Sequence, residues 1–435
     1  MAASVMALGA APAAADPAAV KQAVAADYDS HLETLFLHFH ANPELSFLET
    51  ETAKRMAAEL RATGLDVTEG VGGTGVVGMA RNGDGPLILL RADMDGLPLP
   101  EKTGLAYASK VTQTGQDGQE YPVMHGCGHD VHITSMVGTA RRLMAMKDQW
   151  SGTLMFVVQP AEERVGGAAA MLEDGLYERF GKPDYALAFH VSADTPAGKL
   201  VGPERIVGSS ADSVNITVPG IGAHGAAPDT GRDPVYIASQ IVVALQSIDS
   251  REVNPLQPVV VTVGSFHSGT KHNIISDRAD LQLTVRANSE AVRAQTLAAI
   301  ERIAVNIGRA HGLPDDRLPV VEVVEGTPVT NNDPALARRL NAVMQRTFGE
   351  DVLEPDVQTN MGAEDFAFFV TEDLGVPGYY FSVGGTPQAA FDAAENGGPP
   401  VPSHHSPLFK IAPRESVTLG TEAMVAAVLD LAPAD

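Results

Sequence analysis

The apolar residues of this chain fall into two kinds of pattern. At the start Val20, Val24, Tyr28, Leu32, Leu35 and Phe39 recur at helical spacing and Asn42-Pro43 closes the run, which predicts a helix over 18–41. A second helix fits 49–63. Short apolar runs at 76–80, 87–90, 154–158 and 185–189 then alternate with helical stretches at 133–146 and 168–173. Strands alternating with helices mark an α/β sheet.

Between 208 and 322 the pattern changes. Val214-Ile216-Val218 and Leu281-Leu283-Val285 alternate with polar residues as one-sided strands do, and helical patterns occupy 234–249 and 289–310. Such a set folds as a small α+β, ferredoxin-like sandwich. The first pattern resumes with a helix at 334–348, a run at 379–383 and a helix at 415–431. The expected organisation is an α/β domain, 16–207 and 323–435, interrupted by an inserted α+β domain, 208–322.

Composition narrows the function. At 435 residues the chain is long for one domain, and its 44 % apolar and 19 % charged residues are those of a globular protein with a sizeable core. Its 54 acids against 30 bases, a formal charge of −24, speak against a nucleic-acid or anionic-membrane partner, since both demand basic patches. No interior run approaches the roughly 20 apolar residues that span a bilayer. A small-molecule substrate is the expectation. Residues 1–15 (MAASVMALGAAPAAA) end in an A-x-A-like site before Asp16 but carry no Lys or Arg, the first being Lys21. Export to the periplasm or beyond is expected from that run, with a cytoplasmic location as the alternative.

The single cysteine, Cys127, cannot form an internal disulfide, so it is a core thiol, a nucleophile or a metal ligand. Its neighbours decide. His125-Gly126-Cys127-Gly128-His129-Asp130-Val131-His132 crowds imidazoles, a thiol and an acid onto a glycine-rich turn, and thiolate with imidazole suits Zn²⁺ or a similar ion. A Cys-His nucleophile is the rival, although a catalytic thiol's base normally comes from a distant segment. Glu162-Glu163 follows the 154–158 strand at the sheet edge where α/β ligands bind, and such a pair serves hydrolysis if one carboxylate holds metal while the other takes a proton. His190 follows the 185–189 run in the same way. The strand at 87–90 runs into Arg91, Asp93 and Asp95, and Asp95 is expected to orient a ligating histidine or to pair with Arg91. Ser403-His404-His405-Ser406-Pro407 offers two more imidazoles, of which one is expected to be used.

Taken together and in order, HANPE (40–44), RADMDGLP (91–98), HGCGHD (125–130), QPAEE (159–163), AHGAAPDTGRDP (223–234), GAEDF (362–366) and HSP (405–407) resemble the zinc-peptidase-like amidohydrolases that include aminoacylase and the carboxypeptidase G type. The branch is that of hippurate hydrolase, N-acetyl-diaminopimelate deacetylase and the plant indole-acetyl-amino-acid hydrolases. The resemblance covers nearly the whole chain. It implies a di-metal peptidase-like catalytic domain with an inserted lid and dimerisation domain, and two divalent ions (zinc, or manganese or cobalt) held by Cys127, His129, Glu163, His190 and His405. It further implies that Glu162 is the general acid/base, that His224 reaches the partner subunit's site to stabilise the oxyanion, and that Asn273 and Arg286 grip the substrate. The chain departs from the wider family in carrying Asp93 where a metal-binding histidine is usual, Ser276 where proline is usual and Leu283 where glycine is common.

The activity so implied is metal-dependent hydrolysis of the amide bond of an N-acyl amino acid or small peptide, in a homodimer joined through the inserted domain. A dipeptidase or carboxypeptidase would use the same residues. A binding protein on a decayed hydrolase fold would lack a ligand or the base, and all are present.

Overall fold

The computed structural model describes residues 16–434, and the signal-like run at 1–15 lies outside them. The chain divides into two compact units. One holds the residues up to Arg205 with Asn332–Val357 and those from Phe369 onward, the other Ile206–Asn331 with Gln358–Phe368.

The larger unit is built on a seven-stranded mixed sheet, in spatial order Asp66–Val71, Gly75–Asn82, Gly152–Gln159, Leu87–Asp93, Tyr185–Pro196, Gly378–Thr386 and Leu200–Val201. The four from Gly152–Gln159 to Gly378–Thr386 are mutually parallel. Parallel strands are covered on both faces, which is why consecutive residues such as Leu89 and Leu90, Val157 and Val158, and Ala186 and Leu187 are buried and read as unbroken apolar runs. Helices His129–Ala145 and Pro413–Leu431 supply Val131, Ile133, Val137, Val417 and Val425 to the same core. Each such side chain contributes about 1.5 to 3 kcal/mol by leaving water.

The helix expected over 18–41 begins at Pro17, capped by the Asp16 carboxylate on Ala18 N at 3.0 Å, and runs Pro17–Asp27 and Glu33–Ala41 around one π-helical turn, Tyr28–Leu32. Tyr28 and Leu32 stay buried through that turn. The edge strand Asp66–Val71 and the hairpin Thr112–Thr114 and Glu120–Pro122 were not legible, because half of their residues are exposed and they form no apolar run.

The second unit is a four-stranded antiparallel sheet in the order Val259–Ser268, Arg278–Ala287, Ser210–Pro219 and Val320–Thr327. Residues along Ser210–Pro219 alternate between buried and half-buried, and Val214, Ile216, Val218, Leu281, Leu283 and Val285 pack against Ile237, Ile241 and Ile300 of helices Pro234–Leu245 and Glu290–Ala310. Asp233 and Ser289 cap those helices. Val320–Thr327 pairs with Ser210–Pro219, so this unit extends past residue 322 to Asn331. Both edge strands were hidden in the sequence because much of each is exposed, which blurs the alternation. Among the described residues, no helix is long and apolar enough to cross a membrane.

Candidate active site

The parallel strands of the larger unit deliver their C-terminal ends to one edge of the sheet. Asp93 pairs with Gln159, and His190 stands two residues beyond Ala188, the partner of Arg91. After Gln159 the chain turns sharply through two left-handed residues, Ala161 (φ +50°) and Val165 (φ +46°), with Glu162–Arg164 as a single 3-10 turn between them. Gly167 permits the return, since a Cβ there would lie 1.6 Å from the Pro160 carbonyl oxygen. In the loop that follows Glu120–Pro122, Gly128 (φ +88°) is the N-cap of helix His129–Ala145, and a Cβ on it would meet Val191 at 2.3 Å. Glycine is required at both places.

These turns bring the five expected ligands together. Cys127, His129 and His190 form one group whose donor atoms lie within 4.8 Å of one another, and Cys127, Glu163 and His405 form another. His129, Glu162 and Glu163 form a third. Cys127 Sγ lies 3.4 Å from His190 Nε2, and His405 Nε2 lies 3.3 Å from Glu163 Oε2. His405, in a left-handed conformation (φ +61°), is tied to the cysteine loop by its amide on the Gly126 carbonyl at 2.9 Å.

The hydrogen bonds orient the rings. His129 donates Nδ1–H to the Asp95 main-chain carbonyl at 2.9 Å, and His190 donates Nδ1–H to the Val191 carbonyl at 2.7 Å. Each ring therefore turns Nε2 toward the cluster; burial alone would lower His129, but Asp93, Asp95 and Glu163 outweigh it and raise it to about 10, so a bound cation would take the place of its Nε2 proton. Among the described residues, Nε2 of His129 and Oε1 of Glu163 are buried without a hydrogen-bond partner. Burial, with Glu163 and Glu162 close by, pushes the Cys127 thiol well above its usual range, and burial pushes Glu163 up to about 8. Burial, with His132 and His404 nearby, holds His190 well below its ordinary value, so it is a neutral donor. A thiol, carboxylates and imidazoles left short of positive charge in a buried pocket fit divalent cations.

The surrounding acids are already engaged. Arg91 donates to Asp93 at 2.7 Å rather than to Asp95, and Asp93 also receives the Nδ1–H of His132 at 2.5 Å. Burial opposes the charge on Asp93, but Arg91, His129 and His132 outweigh it and hold the carboxyl well below its usual range. His132 Nε2 in turn accepts the amide of Val191, next to His190, at 2.9 Å. Asp95 accepts the amides of Glu162 and Glu163, each at 3.1 Å, and the Ser46 hydroxyl at 2.7 Å.

Three residues near the site were assigned no role from the sequence. His132 was only one of a crowd of histidines. His404 accepts the Ala193 amide on Nε2 at 3.0 Å, which leaves its Nδ1–H facing Cys127 Sγ at 3.8 Å, so both histidines of the pair meet the site. Glu49 lies in an ordinary helix start 112 residues from the Ala161 amide it accepts.

In the second unit His224 and Asn273 are exposed and adjacent, since His224 pairs with Ile274 and the Gly225 amide donates to the Asn273 carbonyl at 2.9 Å. Arg286 stands on the central strand Arg278–Ala287, half-buried, with Nε on the Thr284 hydroxyl at 3.2 Å. Glu364 and Asp365 are buried.

A parallel sheet whose strand ends gather a thiol, three imidazoles and paired carboxylates defines a metal-dependent hydrolase. Residues 89–397 match the model of peptidase family M20/M25/M40, and the chain belongs to that family. It is 40 % identical to the hippurate hydrolase of Campylobacter jejuni subsp. jejuni over 79 % of this chain and 86 % of that one. Thermostable carboxypeptidase 2 of Saccharolobus solfataricus is 37 % identical over 79 % of this chain and 83 % of its own. Among solved structures, a Bacillus subtilis protein described as a dinuclear metal binding peptidase of the M20 family superposes with a TM-score of 0.74 at 27 % identity, over 93 % of this chain and 98 % of that one.

Proposed function

We propose that this protein hydrolyses the amide bond of N-acyl amino acids, with Cys127, His129, Glu163, His190 and His405 holding two divalent metal ions. The observation that carries the reading is that Nδ1–H of both His129 and His190 is spent on a main-chain carbonyl, which turns Nε2 of each toward the donor group the two form with Cys127. A soft thiolate among imidazoles favours zinc, and manganese or cobalt are the alternatives for a mixed donor set. Bound ions would polarise the scissile carbonyl and make a water more acidic.

The chain's own groups do the rest. Glu162, buried and with Oε2 3.8 Å from His129 Nε2, accepts the proton of the attacking water and returns it to the leaving amine. Asp95 keeps the 162–163 turn in place through its two amide contacts. His224 of the partner subunit donates to the oxyanion, and Asn273 and Arg286 bind the carboxylate end of the substrate, in a homodimer formed through the inserted unit. The name of the hippurate hydrolase relative supports an N-acyl amino acid, and that of the carboxypeptidase relative supports a peptide as the second reading.

A panel of N-benzoyl, N-acetyl and indole-acetyl amino acids and dipeptides, assayed with and without chelator, decides between them. Chelator-sensitive release of free amino acid from the N-acyl compounds is expected. Turnover confined to dipeptides would transfer the reading to a peptidase, and chelator-resistant turnover would remove the metals from it.

A further inference from the structure

Three successive amides in the turn that carries the paired glutamates donate to buried carboxylates from other parts of the chain. Asp95 receives those of Glu162 and Glu163. The first belongs to Ala161 and is received by Glu49, whose Oε1 accepts it at 2.8 Å. The same oxygen accepts the amide of Phe47 at 2.9 Å, and Oε2 accepts the Thr74 hydroxyl at 2.6 Å. Glu49 is fully buried and belongs to none of the groups that could hold a metal among the described residues.

Both amides on that oxygen come from left-handed residues, Ala161 at φ +50° and Phe47 at φ +62°. Such a conformation is costly for a side-chain-bearing residue and persists only where its surroundings impose it. A carboxylate oxygen held between the two amides, and anchored on its other side by Thr74, imposes it here. The dihedrals of Ala161 set the direction in which Glu162 leaves the strand. If Ala161 relaxes, the carboxylate beyond it is re-aimed.

We infer that Glu49 is a positioning residue for catalysis: by holding Ala161 in the left-handed conformation it aims the Glu162 carboxylate at the reacting water. This rests on the reading of Glu162 as the acid/base. Glu49 acts by its geometry as an acceptor and not by its charge. Glutamine would keep one oxygen for both amides and donate its NH₂ to the Thr74 hydroxyl.

The test is steady-state kinetics on E49A, E49Q, T74V and E162Q at saturating Zn²⁺, with metal content and melting temperature measured on each. E49A is expected to lower kcat about 100-fold with KM within about threefold of wild type and metal content unchanged, the loss that follows when a catalytic group is misplaced by about 1 Å. E49Q should keep kcat within about threefold of wild type, and T74V should lower it about threefold to tenfold at unchanged KM. If E162Q retains a near wild-type rate, the reading of Glu162 fails first. If E162Q is inactive and E49A is nearly as fast as wild type, or E49A recovers on adding more metal, the positioning role is overturned. Should E49A not fold, the other two variants decide: an E49Q as slow as expected for E49A, or a T74V as fast as wild type, overturns it.

Discussion

His190 Nε2 lies 3.4 Å from Cys127 Sγ because the opposite nitrogen of its ring donates to the Val191 carbonyl at 2.7 Å. The imidazole can therefore offer only a lone pair to the thiol side of the ring. Cys127 is common to two of the donor groups, with His129 and His190 in one and Glu163 and His405 in the other. Removing the sulfur in C127A should strip metal from the purified protein and abolish turnover. Elemental analysis after gel filtration checks this, and undiminished metal content would take Cys127 out of the site.

Glu162 shares its turn with Glu163 but is assigned a different task, so the two should separate on mutation. E162Q is expected to lower kcat by about 10²- to 10⁴-fold with metal content intact, the range of a lost general acid/base. E163Q should lose metal as well as rate. An E162Q enzyme within about tenfold of wild type would be too active for the assignment.

His224 is exposed on a short strand of the inserted unit, so replacing it should leave the fold alone. H224A is expected to cut kcat by about 10²- to 10³-fold at unchanged melting temperature. If His224 of the partner subunit serves each site, mixing H224A with E162Q protomers should restore about a quarter of the wild-type rate, since half the dimers are hybrids with one intact site each. No recovery after subunit exchange would argue that the histidine acts within its own chain or not at all.

His40 gives a pH dependence of stability away from the ligands themselves. Burial alone would lower its pKa, but its contacts with Asp130 at 2.7 Å and Glu101 at 3.3 Å outweigh burial and raise it from 6.5 to about 9. A raised histidine stabilises the fold fully below its unfolded value and loses that contribution as pH climbs through the folded value. Urea denaturation of the metal-loaded protein between pH 6 and 10 should show stability falling across about 6.5 to 9, by on the order of 1 to 3 kcal/mol. H40Q should flatten this slope, and a mutant with the wild-type slope would place its origin elsewhere.

Inside the second unit, buried Asp212 accepts Nε and Nη2 of Arg293 at 2.9 and 2.7 Å, and Arg293 also reaches Glu290 at 3.1 Å. D212A leaves a half-buried guanidinium with one weaker partner and is expected to cost about 2 kcal/mol, less than the loss of a partner from a fully buried pair. Calorimetry should show the loss, and a melting profile identical to wild type would mean that Glu290 alone compensates.

Much of this was legible along the chain. The apolar runs at 87–90, 154–158 and 185–189 are strands of one parallel sheet, and the acids and histidine that follow them gather at its edge. Those signals are local, because a strand buried on both faces must be apolar and a metal site needs particular side-chain types. The exposed strands Asp66–Val71, Val259–Ser268 and Val320–Thr327 left weaker traces, since an edge strand makes fewer demands on composition.

What the sequence by itself determined is therefore the inventory: the two patterns of apolar residues, and the thiol, imidazoles and carboxylates at their turns. Only the tertiary structure decided how that inventory is aimed. It set which nitrogen of His129 and His190 faces the cluster, paired Arg91 with Asp93 instead of Asp95, brought His404 beside the thiol, and set Glu49 on the amide of Ala161 across 112 residues of chain. A hydrogen bond between segments so far apart has no periodicity and no composition. It exists only once the sheet has fixed both ends.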